Sequence, residues 1–516
     1  MLPKARLALL VSLFAVLLPW LASTVSAGQT PAEIRTPKPS KAPRINGPKI
    51  YGARPGHPFL YRIPCTGNRP MRFSVSGLPS SLHLDPASGI ITGATPATLG
   101  EFMLTLKAKN ARGKASRPFK VVVGDTIGLT PQMGWNDWYT FYAHPTDSLV
   151  RKAADAMVAS GMADFGYQYV DMDDAWERKP GSTDEQLGGP PRDANGNILP
   201  NAYFPNMPSL TAYIHSLGLK AGIYSGPGPL TCARFEASYQ HEDADAHQIA
   251  AWGFDLLKYD WCSYRSVVKS NDLADLQLPY RKMSAFLKNQ DRDIVFNMCQ
   301  YGMGDVWKWG REVGGNSWRT TGDLGAVRGG TLPGFYAVGF ANAAHNAFAG
   351  PGGWNDPDYI LIGTVGDALN SARPAKPTTL TAGEQYSYMS MWSLMASPLI
   401  FSGDMNKLDA FTLNVLCNAE VIDIDQDSLG KQAKIVRKTD QEFILAKPLE
   451  DGSVAVGLFN LTEQPRTISF DYAEAGTSGR QRVRDVWRQK DIGSFANSFK
   501  GQVGAHDVLL VKLTPK

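Results

Sequence analysis

The stretch LLKYDWC, residues 256–262, decides the fold prediction for this chain. It has the apolar pattern of a fully buried strand, yet its later positions carry Lys258 and Asp260. In a barrel of parallel strands, the strands are buried and their carboxyl ends open onto the face where functional sites form. We therefore predict that this strand delivers Lys258 and Asp260 together into a pocket.

Segments on both sides of this stretch alternate between strand and helix patterns. Strand-like runs occur at residues 166–174, 219–225, 254–260, 293–299, 316–321 and 399–404. Apolar residues recur with helical spacing at residues 148–161, 210–218, 244–253 and 383–397. This alternation over about 290 residues fits a (β/α)8 TIM barrel, and no glycine-rich phosphate motif follows a strand to favour a doubly wound dinucleotide fold. We predict that residues 126–430 form the barrel.

The segments that flank the barrel have the alternation and the turn residues of antiparallel strands. The phrase GLPSSLHLDPASGIITGATPATLGEFMLTLKAKNARG, residues 77–113, resembles the immunoglobulin-like modules found beside extracellular bacterial enzymes. We therefore predict an Ig-like β-sandwich over residues 48–125 and a C-terminal antiparallel β-domain over residues 431–516. Residues 28–47 are rich in Pro, Lys, Ser and Thr and are predicted to be a flexible linker.

The first residues have the pattern of a cleavable secretory signal. Lys4 and Arg6 precede an apolar run from Leu7 to Leu21, and small residues end the segment at Ala27. The apolar run is shorter than the roughly 20 residues that span a bilayer. We predict a signal peptide over residues 1–27 and a secreted or periplasmic protein whose mature chain has no membrane span.

Charge and cysteine content narrow the function classes further. The net charge is only +4 over 516 residues and the basic residues are scattered, so no nucleic acid partner is expected. Five cysteines allow at most two disulfides and leave at least one free thiol. No feature of the sequence indicates an oligomeric state.

Other predicted strands also end in polar or aromatic residues, namely Asp173 with Asp174, Tyr224, and Arg319 with Asp323, while Trp135 and Trp138 follow the first barrel segment. Carboxylates and cationic groups bind paired hydroxyls through charge-assisted hydrogen bonds, and aromatic rings cover the apolar face of a pyranose. The combination favours a carbohydrate substrate. Hydrolysis with retention would also need two carboxyl groups about 5 to 5.5 Å apart.

Five motifs carry a family resemblance. GWNDW, YVDMDDAW, LLKYDWC, SWRTTGD and GPGGWNDPD occur in this order between about residues 130 and 430. Together they resemble the signature set of glycoside hydrolase family 27, the α-galactosidase and α-N-acetylgalactosaminidase family. The resemblance implies a retaining glycosidase that releases terminal α-linked galactose and needs no metal or cofactor.

The resemblance also implies roles for individual residues. Asp260 matches the nucleophile and Asp323 the general acid and base, and their environments should hold their proton affinities apart. The substrate-binding positions that match are Trp138, Asp173, Asp174, Tyr224, Lys258, Arg319 and Asp358. Asp173 and Asp174 match the pair that binds the hydroxyls at the far side of galactose, whereas Arg319 and Asp358 match the groups that reach the 2-hydroxyl.

A disulfide between Cys232 and Cys262 is likewise implied by the resemblance. It would hold the loop after Tyr224 against the loop that carries the nucleophile. Cys65, Cys299 and Cys417 are left over. The second bridge common in the family would need a cysteine where Gly315 stands, so Cys299 is expected to be an unpaired thiol.

Several alternatives stay open at this level. One alternative substrate is an α-N-acetylgalactosaminide, but Gln300, which stands where many galactosidases of the family carry glutamate, does not open the space that an N-acetyl group needs. Another is a β-L-arabinopyranoside, but relatives that cleave it alter the aspartate pair that this chain keeps. Lys258 could instead be a Schiff-base nucleophile, or the chain could be a non-catalytic carbohydrate-binding or adhesion protein. Asp425 and Asp427 are expected in a surface turn, and Asp356 in a loop or cap.

Overall fold

The structure is a computed structural model that describes residues 33–326, 331–366 and 374–516. The predicted signal peptide and the first residues of the predicted linker lie outside the described residues. A single compact unit extends from Ile34 to Lys516.

The centre of this unit is a barrel of parallel strands. Among the described residues, eight such strands follow one another in the sheet, and their bounds are Met133–Asn136, Tyr169–Asp171, Lys220–Ser225, Leu256–Asp260, Val295–Cys299, Ser317–Arg319, Trp354–Asp356 and Leu399–Phe401. The first strand pairs with both the second and the eighth. A parallel bridge between Ile360, just after the seventh strand, and Phe401 of the eighth strand closes the sheet. In this bridge the Ile360 amide donates to the Ile400 carbonyl at 2.7 Å. The predicted (β/α)8 fold is confirmed.

Helices cover the outside of the barrel. The α-helices are Trp138–Phe141, Asp147–Ala159, Met207–Ser216, Glu242–Trp252, Leu273–Lys288, Val306–Trp309, Gly334–Ala343, Ala382–Leu394, Ala410–Leu416 and Ala419–Asp425, with 3-10 turns at Met162–Phe165, Cys262–Ser266 and Met405–Lys407. A capping box begins Ala382–Leu394, since the Thr381 hydroxyl accepts from the Glu384 amide and the Glu384 carboxylate accepts from the Thr381 amide. In the described part of the chain, no helix has the length and apolar character needed to cross a membrane.

The N-terminal module is a β-sandwich. Between residues 44 and 123, all of them described, a four-stranded sheet contains Ile50–Ala53, Arg72–Ser76, Gly100–Asn110 and Gly113–Val123, and a three-stranded sheet contains Pro58–Arg62, Leu82–Leu84 and Ile90–Ala94. A short ladder joins Arg44–Ile45 to Cys65–Thr66. Alternate residues such as Leu104, Leu106 and Phe119 point inward and form a core separate from that of the barrel.

The sandwich packs on the face of the barrel where the strands begin. Arg54 donates to Asp293 at 2.7 Å, and His57 lies 3.0 Å from the same carboxylate. Tyr51 is hydrogen-bonded to Lys220, the first residue of the third barrel strand. The module therefore lies on the face opposite to the strand ends that carry Lys258 and Asp260.

Some residues of the predicted flexible linker, residues 28–47, make specific contacts with distant parts of the chain. The guanidinium of Arg35 binds Asp507 at 2.5 and 2.8 Å, and the Thr36 amide and hydroxyl bind Asn414 at 3.0 and 2.9 Å. Asn46 donates to the carbonyl of Asp164 at 2.9 Å. These partners lie far along the sequence, so the composition of the segment gave no sign of them.

The C-terminal domain consists of antiparallel strands. Over residues 434–515, which are described without a gap, a six-stranded sheet is formed by Lys434–Lys438, Glu442–Pro448, Val454–Asn460, Val508–Pro515, Arg480–Asp485 and Lys490–Ala496, and a two-stranded sheet by Arg466–Asp471 and Ser498–Val503. The domain packs on the barrel helix Ala382–Leu394, where the Trp487 indole donates to Ser390 at 2.8 Å.

The prediction of a surface turn is wrong for Asp425. This residue ends the helix Ala419–Asp425 and is 0% exposed, because Lys447 of the C-terminal domain is buried against it and donates to its carbonyl at 3.4 Å. Asp427 is half-buried and accepts a turn hydrogen bond from the Leu429 amide, as well as a hydrogen bond from the Glu450 amide of the C-terminal domain.

Candidate active site

The carboxyl ends of the barrel strands bring the predicted site residues together on one face. Lys258 Nζ lies 2.8 Å from Asp173 Oδ2, which joins the fourth strand to the loop after the second. Arg319, the last residue of the sixth strand, lies 3.1 Å from Asp358 and 3.3 Å from Asp323. Asp260 pairs with Cys299 of the neighbouring strand, and Cys299 Sγ lies 3.6 Å from the Arg319 guanidinium, so these two halves form one site.

Lys258 is a buried cation held among aromatic rings. It is 8% exposed, and its ammonium lies 5.2 Å from the ring centre of Tyr224 and 5.1 Å from that of Tyr359. Burial acts to lower the pKa of the ammonium, but the neighbouring acidic groups, with Asp173 the largest among them, together raise it well above its ordinary value. Lys258 therefore stays protonated, which disfavours a Schiff-base role.

Asp260 is a buried carboxylate at the end of the fourth strand. It is 5% exposed, and its Oδ1 accepts a hydrogen bond of 2.5 Å from the Tyr301 hydroxyl. Burial raises the pKa of Asp260 to about 6, against the opposing effect of Lys258. At neutral pH the group is therefore ionised and poorly hydrated, which favours a nucleophile.

Asp173 and Asp174 form an acceptor pair after the second strand. Asp173 Oδ2 accepts from Asn136 and Lys258 at 2.8 Å each and lies 3.3 Å from the Tyr359 hydroxyl. Asp174 Oδ2 accepts from the Ala233 amide at 2.7 Å, while its Oδ1 is buried and has no hydrogen-bond partner among the described residues. Burial raises the pKa of Asp174 to about 7. The unpaired oxygen is suited to a ligand hydroxyl.

Asp323 and Asp358 differ in exposure although both contact Arg319. The side chain of Asp323 is 48% exposed, whereas that of Asp358 is 0% exposed. Asp358 Oδ2 also accepts from the Tyr139 hydroxyl at 2.7 Å and from the Leu324 amide at 2.8 Å. Arg319 therefore links a fixed, fully paired carboxylate to a second one that is accessible from solvent.

The disulfide between Cys232 and Cys262 is present and borders the site. The Tyr224 hydroxyl donates to Cys262 Sγ at 3.2 Å, and Trp138 packs against the cluster that contains Ala175 and Ala233. Cys299 is a buried free thiol, as expected. It lies 3.6 Å from the Arg319 guanidinium.

One group of potential metal ligands occurs among the described residues. The ligand atoms of Cys232, Asp260 and Cys262 lie within 4.8 Å of one another. Since the two sulfur atoms are bonded to each other, neither is available as a thiolate ligand. The group therefore does not have the donor set of a metal centre.

Sequence reasoning missed residues that support the predicted ones: Asn136, Asp137, Tyr139, Tyr301 and Tyr359. Asn136 and Asp137 lie in the same motif as Trp138, at the end of the first strand, and Tyr139 follows it directly, so their position alone could have identified them. Tyr359 follows Asp358 directly. Tyr301 had no comparable signal.

Two further residues differ from their sequence-based placement. Trp135 lies inside the first strand and is fully buried, with its indole donating to Gly403 at 2.8 Å. Asp356 is the last residue of the seventh strand rather than part of a loop, and it accepts from Asn297 at 2.9 Å. Both support the barrel behind the site.

Four residues at or next to this site have a strained backbone. Ala175, Cys262, Tyr301 and Asp358 have positive φ angles of 84°, 23°, 65° and 87°. Non-glycine residues rarely adopt such angles, and they persist where the surroundings over-determine them, often at functional sites. The strained loops therefore fix the side chains that line the site.

Comparison with known proteins agrees with this geometry. Residues 130–427 match the family profile described as alpha galactosidase A, residues 441–513 match the alpha galactosidase C-terminal beta sandwich domain, and residues 42–124 match an Ig domain profile. An alpha-galactosidase of Oryza sativa subsp. japonica is 35% identical over 426 residues, which cover 81% of this chain and 92% of the relative.

Solved structures are similar as well. One is a Bacteroides fragilis NCTC 9343 protein to which alpha-galactosidase/melibiase activity is ascribed; it has a TM-score of 0.84 at 34% identity, over 93% of this chain and 100% of that chain. Alpha-galactosidase I of Mortierella vinacea has a TM-score of 0.67 at 27% identity, over 76% of this chain and 99% of that chain. The chain thus belongs to the alpha-galactosidase family of glycoside hydrolases, family 27.

Proposed function

We propose that this protein hydrolyses terminal α-linked D-galactose from oligosaccharides, polysaccharides or glycoconjugates, with retention of configuration. Asp260 is the nucleophile and Asp323 is the general acid and base. The observation that carries this assignment is the contrast between the two acids, since Asp260 is 5% exposed beside a buried ammonium and the Asp323 side chain is 48% exposed beside Arg319.

In the first step, a carboxylate oxygen of Asp260 bonds to the anomeric carbon while the bond to the leaving oxygen breaks. Asp323 transfers its proton to that oxygen. The pKa of about 6 keeps Asp260 ionised at neutral pH. In the second step, Asp323 takes a proton from water, the water oxygen bonds to the anomeric carbon, and the electron pair of the ester bond returns to Asp260.

Recognition of galactose follows from the remaining groups of the rim. The unpaired oxygen of Asp174 and the ammonium of Lys258 supply an acceptor and a donor for hydroxyls at the far side of the ring. Arg319 and Asp358 supply the corresponding pair for the 2-hydroxyl, where hydrogen bonds strengthen toward the transition state. Trp138 and Tyr224 form the wall. No residue in this set requires a metal or cofactor.

Export is part of the proposal. The basic start, the apolar run and the small residues that end at Ala27 support cleavage and release to the outside of the cell or to the periplasm. The disulfide at the site agrees with an oxidising compartment.

The substrate is tested with the purified mature chain on p-nitrophenyl α-galactoside, α-N-acetylgalactosaminide and β-L-arabinopyranoside in parallel. We expect the α-galactoside to have the highest kcat/KM. A higher value for either of the other two would contradict the galactose assignment, although it would leave the glycosidase reaction intact.

The catalytic roles are tested with Asp260→Asn and Asp323→Asn. We expect Asp260→Asn to abolish hydrolysis, and Asp323→Asn to lower kcat by about 10²- to 10⁴-fold on substrates with poor leaving groups. Added azide should restore turnover of Asp323→Asn with an activated substrate and give α-galactosyl azide. Asp440→Asn, which removes an exposed carboxylate far from the rim, is the matched control. Full activity of Asp260→Asn would overturn the mechanism.

A further inference from the structure

Tyr301 makes a contact with the proposed nucleophile that none of the sequence motifs indicates. Its hydroxyl lies 2.5 Å from Asp260 Oδ1 and 3.7 Å from Cys232 Sγ of the disulfide. Lys258, the nearest cation on the same strand, is hydrogen-bonded to Asp173 instead. In the described part of the chain, no other side chain donates a hydrogen bond to the Asp260 carboxylate.

The loop that carries Tyr301 is built to hold it in place. The Gln300 side-chain amide donates to the Met303 carbonyl at 3.0 Å and closes a turn around the residue, whose φ is 65°. The next residue, Gly302, has a φ of 85°, and a Cβ there would lie 2.4 Å from the Thr320 carbonyl oxygen. Only glycine fits this approach, so the loop has little freedom to move the phenol away from Asp260.

We propose that Tyr301 is a positioning residue for Asp260, whose hydroxyl holds Oδ1 throughout turnover and leaves Oδ2 as the atom that bonds to the anomeric carbon. This inference rests on the proposed function. When Oδ2 forms the ester, Oδ1 becomes the carbonyl oxygen and still accepts from Tyr301. When water cleaves the ester, the negative charge returns to a carboxylate whose Oδ1 already has its donor.

The phenol keeps its proton in every step. Burial and the neighbouring charge of Asp260 raise the pKa of Tyr301 far above its ordinary value, so it acts as a donor and not as an acid. A hydrogen bond donated to an ionised carboxylate stabilises the charged form. Its loss should therefore make Asp260 easier to protonate.

Other groups also act on the charge of Asp260, and each belongs to a different part of the rim. Lys258 lies on the same strand, Asp323 follows the sixth strand, and Asp173 follows the second. Asp260 in turn acts on Asp174, Tyr224, Cys299 and Tyr280. Removal of the Tyr301 hydroxyl leaves all of these groups in place, so a change in titration reports on that hydroxyl.

The test is the pH dependence of kcat/KM for p-nitrophenyl α-galactoside in Tyr301→Phe, since its acidic limb reports the free enzyme's essential base. We expect the limb to move up by about one pH unit, the size expected for one lost hydrogen bond to a charged group. At pH 5 the variant should therefore lose about tenfold relative to the wild type, beyond any loss at its own optimum. The position of the limb is independent of the fraction of folded enzyme, so partial misfolding cannot imitate the shift.

Tyr280→Phe is the matched control. Tyr280 is also buried near Asp260, but its hydroxyl has no hydrogen-bond partner among the described residues. A limb that moves in Tyr301→Phe and not in Tyr280→Phe supports the inference. An acidic limb that stays in place in Tyr301→Phe, or that moves equally in both variants, overturns the inference about Tyr301. The proposed function still holds in that case if Asp260→Asn is inactive. An active Asp260→Asn would overturn both the inference and the proposed function.

Discussion

The carboxylates behind the rim show how burial changes the chemistry of single residues. Asp137 is 0% exposed, and its Oδ2 has no hydrogen-bond partner among the described residues. Burial and the nearby charge of Asp173 raise the pKa of Asp137 to about 8. Because its folded pKa is raised, Asp137 contributes stability below its unfolded pKa of about 3.9, and this contribution is lost as the pH rises through about 8.

Asp137→Asn should remove this dependence. Between pH 5 and pH 8 we expect the free energy of unfolding of the variant to rise relative to the wild type by on the order of 2 to 4 kcal/mol. Urea unfolding at several pH values measures the difference, and the exposed Asp440→Asn serves as control. Parallel pH curves for wild type and Asp137→Asn would contradict the prediction.

The sequence predicted those site residues whose position follows from the end of a strand. Lys258, Asp260 and Arg319 were predicted to lie on one face because parallel strands expose their last residues there, and all three lie at the carboxyl ends of strands. Tyr301 was not found, because the direction of its hydroxyl depends on a loop with positive φ angles. A pattern of apolar and polar residues does not encode such a turn.

The disulfide between Cys232 and Cys262 connects two loops of the barrel rim. It joins the loops after the third and fourth strands, its cysteines are 30 positions apart in the sequence, and Cys232 is exposed. Closing a loop of this length restricts the unfolded chain. In the folded chain, the same bond holds the wall formed by Tyr224 against the loop that follows Asp260.

The variant with both Cys232→Ser and Cys262→Ser should lose about 3 to 4 kcal/mol of unfolding free energy. Urea unfolding without reductant measures this loss, and reduction of the wild type should produce a similar one. Cys417→Ser, which replaces a half-buried free cysteine, is the control and should change stability much less. Equal stability of the double variant and the wild type would exclude a stabilising role.

Elements were predicted well where their pattern was regular. The segments predicted as helices at 148–161, 210–218, 244–253 and 383–397 correspond to helices in the structure. The helix Gly334–Ala343 was missed because it is apolar on nearly all sides and has no polar face. The helix Leu273–Lys288 was also missed, because it contains Pro279, and proline normally argues against a helix interior.

In the whole molecule, the β-sandwich is separated from the proposed site by the length of the barrel strands. It is held at the opposite face by Arg54 and His57, which share Asp293. The side chains of Arg54 and Asp293 are 13% and 18% exposed, so this ion pair is screened less than a surface pair. The module should therefore affect the stability of the barrel more than its catalysis.

Arg54→Ala should lower the free energy of unfolding by about 1 to 3 kcal/mol, because it leaves a partly buried carboxylate without its main partner. Thermal unfolding and kcat/KM are measured together, and we expect kcat/KM to be unchanged. Lys120→Ala, which breaks the more exposed pair with Glu101, should cost at most about 1 kcal/mol. A large loss of kcat/KM in Arg54→Ala would show coupling between the two faces.

The order of the domains could be read from the sequence, but their packing could not. Arg35 and Thr36 lie in a segment with the composition of a linker, yet they bind Asp507 and Asn414. Lys447 and Asp425 are charged residues that become buried only because two domains meet. Contacts between distant segments depend on the surfaces of both, and no local pattern records them.

The difference in exposure between the two proposed acids also bears on the use of the protein in synthesis. A sugar held against the enclosed Asp260 can vary little, whereas the side chain of Asp323, beside which another molecule can replace water, is 48% exposed. At high alcohol concentration, we therefore expect galactosyl transfer to be strict for the donor and tolerant of many acceptors.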